Sequence, residues 1–263
     1  MLRRNFLLSS LVLGLPQAAP ALPVLQENRL WADFFSSADA QGSLVVLDAR
    51  GKALELQGHD PVRAQQRFSP ASTFKIPHSL FALDAGLVRD EFQVFAWDGV
   101  ARPVPAWNGD QTLRSAMRNS TVWVFERFAK ELGAAREAAY MQSIGYGNAA
   151  VSGAAPFWVE GDLAISCMEQ LALLQRLYRN ELPFALEHQR LVKDVMVNAA
   201  GAHWILRAKT GWSGRVAWWT GWIEWPEGPV FFAINIDTPQ RQADLAKPQA
   251  IARAALRSIA ALP

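Results

Sequence analysis

Ser72-Thr73-Phe74-Lys75 holds the first pair of residues able to do chemistry. On a helix, residues three apart are neighbours, so the lysine nitrogen can reach the serine oxygen. A serine hydroxyl is a weak nucleophile until a base takes its proton, and an ordinary lysine is already protonated. Burial changes that balance, because desolvation disfavours the ammonium. Phe74, Ile76, Val122 and Trp158 are candidates for such an apolar setting. The spacing itself is common enough by chance to carry little weight alone. Lys209-Thr210-Gly211 is sharper, joining a cation, a hydroxyl donor and a glycine that lets a ligand approach the backbone. It suits a substrate carboxylate, although a strand edge with a turn glycine is the plainer reading. Ser120-Thr121-Val122 interrupts a helical pattern, where Ser120 can relay a proton to a leaving amine or simply cap a helix.

Other reactive side chains point elsewhere. The single cysteine, Cys167, excludes an intramolecular disulfide and a thiolate metal cluster. It follows Ser166, which with Glu169 forms an S-x-x-E capping box, so a buried thiol on a helix is expected. His59, His78, His188 and His203 have no metal-ligand spacing, and no G-x-S-x-G elbow supports a Ser-His-Asp triad.

These motifs must be held by elements that the pattern foretells. Ser43–Ala49 reads as a strand, and Ser72–Leu83 as a helix bent at Pro77. Thr112–Leu132 reads as two helices joined by a turn at Asn119-Ser120-Thr121, because those residues are poor helix formers. Ala134–Ile144, Cys167–Arg179 and Leu186–Val195 are further helices. His203–Lys209, Arg215–Trp225 and Val230–Asp237 then read as strands, the last two joined through Pro226-Glu227-Gly228-Pro229, before a closing helix over Ala250–Leu262. This order predicts an α/β (α+β) fold. An antiparallel sheet is built from both chain ends, about 22–71 and 196–263, with an all-helical region inserted at about 72–195.

Of 263 residues, 51% are hydrophobic and 19% charged, which excludes a disordered chain. Met1–Ala21 carries Arg3 and Arg4, an apolar run Phe6–Leu15 and a small-x-small exit at Ala19-Pro20-Ala21. It reads as a cleavable secretory signal with a possible twin-arginine address, leaving one domain over 22–263. Its removal leaves the formal charge neutral, which argues against nucleic acid as a partner, and no later apolar run predicts a membrane anchor.

Together the three motifs have the order of the penicillin-recognising serine acyltransferases. With Tyr146-Gly147-Asn148, Phe157-Trp158-Val159-Glu160-Gly161 and Trp218-Trp219-Thr220-Gly221-Trp222, the chain closely resembles class D β-lactamases, the oxacillinases, from about Asn28 to Leu262. The resemblance implies Ser72 as the acylated nucleophile. It implies Lys75 carboxylated by dissolved CO2 (N6-carboxylysine) as general base in acylation and deacylation. Trp158 would donate its indole N–H to the carbamate, and Val122 would shield it. Ser120 and Lys209 would handle the proton on the leaving nitrogen. Thr210, with Gly211, would hold the substrate carboxylate, and the backbone N–H groups of Ser72 and Trp212 would form the oxyanion hole. The Tyr146-Gly147-Asn148 turn is expected to be structural. The resemblance implies small β-lactams as substrates, a periplasmic location, no metal, and no cofactor beyond CO2 or bicarbonate. It leaves monomer and homodimer open. D,D-peptidases, which commonly carry S-x-N where this chain has Val122, and membrane-tethered β-lactam sensors are the rival readings. One departure stands out: Pro248, in Lys247-Pro248-Gln249, occupies the place of the family's carboxylate-binding arginine. Lys247 and Arg241 are the candidate substitutes, and weakened carboxylate binding is expected.

Overall fold

A computed structural model describes residues 23–152 and 156–263; the predicted leader Met1–Ala21 lies outside them. Strand β1 (Gln26–Glu27) leads into α1 (Arg29–Ser37), whose cap Asn28 accepts from the Leu30 N–H. Strands β2 (Gly42–Asp48) and β3 (Glu55–His59) follow. A 3-10 turn, Ala71–Phe74, then runs into α2 (Lys75–Asp84). The helical middle comprises α3 (Leu113–Asn119), α4 (Val122–Leu132), α5 (Ala134–Ile144), α6 (Phe157–Glu160), α7 (Cys167–Arg179) and α8 (Leu186–Val195). The chain finishes with β4 (Val197–Ala200), β5 (Ile205–Trp212), β6 (Val216–Trp225), β7 (Gly228–Asp237) and α9 (Lys247–Ser258).

The strands form one sheet in the order β1-β3-β2-β7-β6-β5-β4. The two ends of the chain meet where β2 pairs antiparallel with β7, Val45 opposite Ala233. This is the expected sheet with its helical insertion. The exception is β1, two residues that pair parallel with β3. Side chains alternate across a strand, and both faces of this sheet are covered. Trp219, Ile223, Phe232 and Ile234 pack under α1 and α9, while Trp218, Trp222, Phe231 and Ala233 face the helical middle. A strand buried on both faces reads as a continuous apolar run, which explains the tryptophan-rich β6.

Three local expectations need correction. Pro77 causes no break in mid-helix, because Ala71–Phe74 wind as 3-10 and α2 begins at Lys75, placing the proline in its first turn. Proline is tolerated there, since first-turn N–H groups lack intrahelical acceptors. Lys209-Thr210-Gly211 lies inside β5, which continues to Trp212, rather than at its end. The last helix starts at Lys247, with Pro248 again in a first turn, and stops at Ser258. The capping box at the start of α7 forms as expected, Ser166 accepting from Glu169 N–H and Glu169 from Ser166 N–H. Cys167 is buried at the same helix start, and burial pushes its thiol up to about 12.

Candidate active site

The 3-10 turn is held from three sides. Thr73 Oγ1 donates to Pro70 O at 2.7 Å and accepts from Gln170 Nε2 of α7, also at 2.7 Å. Ser69 O accepts from the Trp218 indole of β6 at 2.8 Å, and Ser69 Oγ donates to Trp158 O of α6 at 2.9 Å. Ala71 has φ 47°, a left-handed conformation that costs a non-glycine residue about 1 kcal/mol and re-aims the chain just before Ser72. Ser72 stands in the first turn, where backbone N–H groups have no intrahelical acceptor. The next element begins with Lys75, whose Nζ lies 2.8 Å from Ser72 Oγ.

Lys75 is fully buried. Its Nζ sits 5.1 Å from the centre of the Phe125 ring on α4, a neighbour that the sequence pattern did not single out. Burial pulls its pKa well below the usual lysine range, and the charge of nearby Lys209 pulls the same way; Glu126 opposes weakly. Val122 opens α4 one turn before Phe125 and is partly buried, so it shares that helix face. Trp158 is also fully buried, lying along Phe74 (ring centres 5.7 Å apart) and meeting His78 edge-on at 5.3 Å. Phe74 and His78 flank Lys75 on the chain. The Trp158 Nε1–H has no acceptor among the described residues, which is unusual for a buried indole. Behind it His78 Nε2 and Glu137 Oε1 form a buried contact of 2.7 Å between α2 and α5. Neither residue carries a motif, so only the three-dimensional packing reveals the pair.

The free edge of β5 forms the opposite wall. A Cβ on Gly211 would lie 2.8 Å from Pro70 O and 3.1 Å from Thr73 Cγ2, so only glycine lets the strand lie against the serine turn. Lys209 is buried, which lowers its pKa to about 7, and its Nζ donates to Thr210 O at 3.1 Å. The Ala208 N–H points outward to Met196 O, whereas the Ser213 N–H points inward to Val216 O. Antiparallel strands alternate these directions, so the Trp212 N–H points outward from the edge. The Trp212 side chain lies on the other face, where its indole donates to Thr238 Oγ1 at 3.2 Å.

Ser120 ends α3 in the left-handed region, φ 55°. Indole donors pin this junction: Trp107 donates to Asn119 O at 2.9 Å, and Trp123 to Trp107 O at 3.0 Å. The Ser120 hydroxyl makes no hydrogen bond among the described residues. Met117 and Arg118, one turn earlier, border a cavity of about 230 Å³ with Lys209 and Thr210, which sets the end of α3 beside β5. The Tyr146-Gly147-Asn148 turn is tightly packed. At φ 50°, Gly147 leaves no room for a Cβ, which would fall 2.0 Å from Ala164 O. Asn148 then bridges Asp162 O and Ala164 N, closing the loop around α6. Pro248 is buried; Lys247 is engaged with Asp244 at 2.8 Å and Asp39 O at 2.9 Å. Arg241 lines a different cavity, with Arg215 and Asp39.

The penicillin binding protein transpeptidase domain family matches residues 42–257. The β-lactamase OXA-15 of Pseudomonas aeruginosa is 61% identical over 238 residues, 90% of this chain and 86% of that protein. FUS-1 (OXA-85), a class D β-lactamase of Fusobacterium nucleatum, shares the fold with a TM-score of 0.86 at 33% identity, covering 90% of this chain and 100% of that one. The chain belongs to the class D β-lactamases. The β-lactamase OXA-48 of Klebsiella pneumoniae is 40% identical over 98% of this chain and 97% of its own length. Class D β-lactamases are serine hydrolases that open the β-lactam amide, and the penicillin-recognising fold expected from the motifs is the one observed. Among the described residues of this class D β-lactamase, no cluster of three or more His, Cys, Asp or Glu is placed to hold a metal. No described helix is long and apolar enough to cross a membrane.

Proposed function

We propose that this enzyme opens the β-lactam amide with Ser72 and hydrolyses the resulting ester with Lys75 in its carboxylated form. The observation that carries the reading is the 2.8 Å contact of Ser72 Oγ with the buried Lys75 Nζ, near an indole donor that has no acceptor among the described residues. The residues fit a carboxylated lysine. Only a neutral amine attacks CO2, and burial drives Lys75 to that state. Trp158 Nε1–H and Ser72 Oγ would hold the added carboxylate, with Lys209 as the nearby cation. When present, that group supplies a general base of moderate pKa next to the serine.

The chain's own residues do the rest. Ser72 Oγ attacks the amide carbon, and the N–H groups of Ser72 and Trp212 donate to the developing oxyanion between them. Ser120 and Lys209 carry a proton to the departing ring nitrogen as the C–N bond breaks. A lysine of pKa about 7 is matched to that task, since both protonation states are populated near neutrality. Thr210 and Gly211 hold the substrate carboxylate along the β5 edge, while Val122 and Phe125 limit water around Lys75. We also assign the enzyme to the periplasm as a single domain over 22–263 after loss of Met1–Ala21. Ser72→Ala should abolish both turnover and the covalent penicillin adduct read by mass spectrometry. Activity lost on CO2 depletion at mildly acid pH should return with bicarbonate. Turnover by Ser72→Ala, or indifference to bicarbonate, contradicts the assignment.

A further inference from the structure

A carboxylate bound at Thr210 calls for a cation, and the place where the family carries an arginine is Pro248, whose ring is buried in the first turn of α9. The two nearby substitutes are committed elsewhere: Lys247 to Asp244 and Asp39, Arg241 to another cavity. Arg253 lies about one and a half turns further along the same helix. It is half-buried, and its guanidinium carbon stands 5.1 Å from the centre of the Trp219 ring.

Trp219 connects this cation to the site. It lies directly opposite Thr210 in the β5–β6 register, and residues so paired project to the same face of a sheet. Thr210 and Trp219 line one cavity of about 230 Å³, together with Arg118, Asn198 and Lys209. Arg253 has no carboxylate or hydrogen-bond partner among the described residues. Burial and the neighbouring Arg257 both oppose its charge. A partly desolvated guanidinium without an anion is costly, and stacking on an indole offsets only part of that cost. An arriving carboxylate removes the rest.

We propose that Arg253, lying on the Trp219 ring opposite Thr210, supplies the positive charge for the β-lactam carboxylate in place of the arginine missing at position 248. The inference rests on the reading of Thr210 as the carboxylate contact. It makes Arg253 a specificity residue: it favours substrates that carry the carboxylate and takes no part in bond making.

The test compares a penicillin with its methyl ester, which lacks the charge. In Arg253→Met, which keeps an unbranched stem on Trp219, the acid-to-ester ratio of kcat/KM should fall about tenfold, equivalent to about 1.4 kcal/mol. The change should appear mainly in KM for the acid. Adding Pro248→Arg to that variant should restore the ratio. An unchanged ratio in Arg253→Met, with normal adduct formation on Ser72, overturns the role of Arg253 and leaves the nucleophile assignment standing. Absence of a Ser72 adduct in the unaltered enzyme overturns the underlying reading instead. Should Arg253→Met fail to fold, Arg253→Gln is read by the same ratio and judged the same way.

Discussion

Replacing Trp158 by phenylalanine separates the proposed chemistry from packing, because its effects on the two states of Lys75 have different sizes. With Lys75 as a free amine, the Trp158 Nε1–H is a buried donor without an acceptor among the described residues. Such a group carries a desolvation penalty of about 1–3 kcal/mol. Phenylalanine removes that penalty but leaves a void where the indole's second ring stood, a loss of similar size. The free-amine enzyme should therefore unfold at nearly the same urea concentration. With Lys75 carboxylated, the indole becomes a donor to an anion in a dry site, worth about 1.5–3 kcal/mol. Losing it should raise the bicarbonate concentration that half-restores activity by roughly ten- to a hundredfold. Carbon-13 bicarbonate gives the direct assay, since the carbamate resonance titrates independently of turnover. The reasoning is refuted if both titrations match those of the unaltered enzyme.

Four further outcomes are expected. Lys209 has a pKa lowered from the usual 10.5 to about 7, so between those values the unfolded chain binds the extra proton and stability rises with pH. Urea midpoints in CO2-free buffer should climb across that window, and Lys209→Met should flatten the climb. Gly211→Ala should cut kcat/KM at least tenfold, about 1.4 kcal/mol, because its Cβ drives β5 away from Pro70 and Thr73; wild-type kinetics would contradict the packing argument. Pro248→Arg in the unaltered enzyme should change KM for carboxylate substrates little, because Arg253 already supplies the charge; a KM lowered about tenfold would mean that the site is short of a cation. Ser166→Ala should cost about 1 kcal/mol of stability through the lost α7 cap, read from a urea transition.

The parts of the fold legible in the sequence share a physical cause. Helices α5, α7 and α8 end where Gly145 and Asn180 adopt left-handed conformations or where a new strand begins, and their apolar faces follow the helical period. The strands β6 and β7 are long and buried on both faces, so they advertise themselves as apolar runs. By contrast β1 and β4 are two and four residues long, too short for any periodicity. In β3 the sequence Glu-Leu-Gln-Gly-His looks like a loop, yet Gly58 is there because a Cβ would come 2.8 Å from Leu44 O on the neighbouring strand. The site divides in the same way. Ser72, Lys75, Lys209 and Gly211 carry motifs because each must be one residue type in one backbone position. Phe125, Arg253 and the His78–Glu137 pair act through positions set by helix packing, and packing leaves no short pattern to read.

Pro248 has two opposed effects. A proline in the first turn favours the start of α9, since its fixed φ is already helical and its missing N–H would have had no partner. The same residue stands where the resemblance implies a guanidinium for the proposed carboxylate site at Thr210. Taken alone, that loss would weaken carboxylate binding. The sheet offers a compensating route: because β6 is covered by α9, any long cation on the flank of that helix that reaches Trp219 also approaches Thr210 across the β5–β6 register. If Arg253 is that cation, arginine at 248 and at 253 should be largely redundant, and their effects on carboxylate affinity less than additive. A double-mutant cycle of Pro248→Arg and Arg253→Met decides the matter. Full additivity would mean that the two positions serve different groups and that the charge at Thr210 has another source.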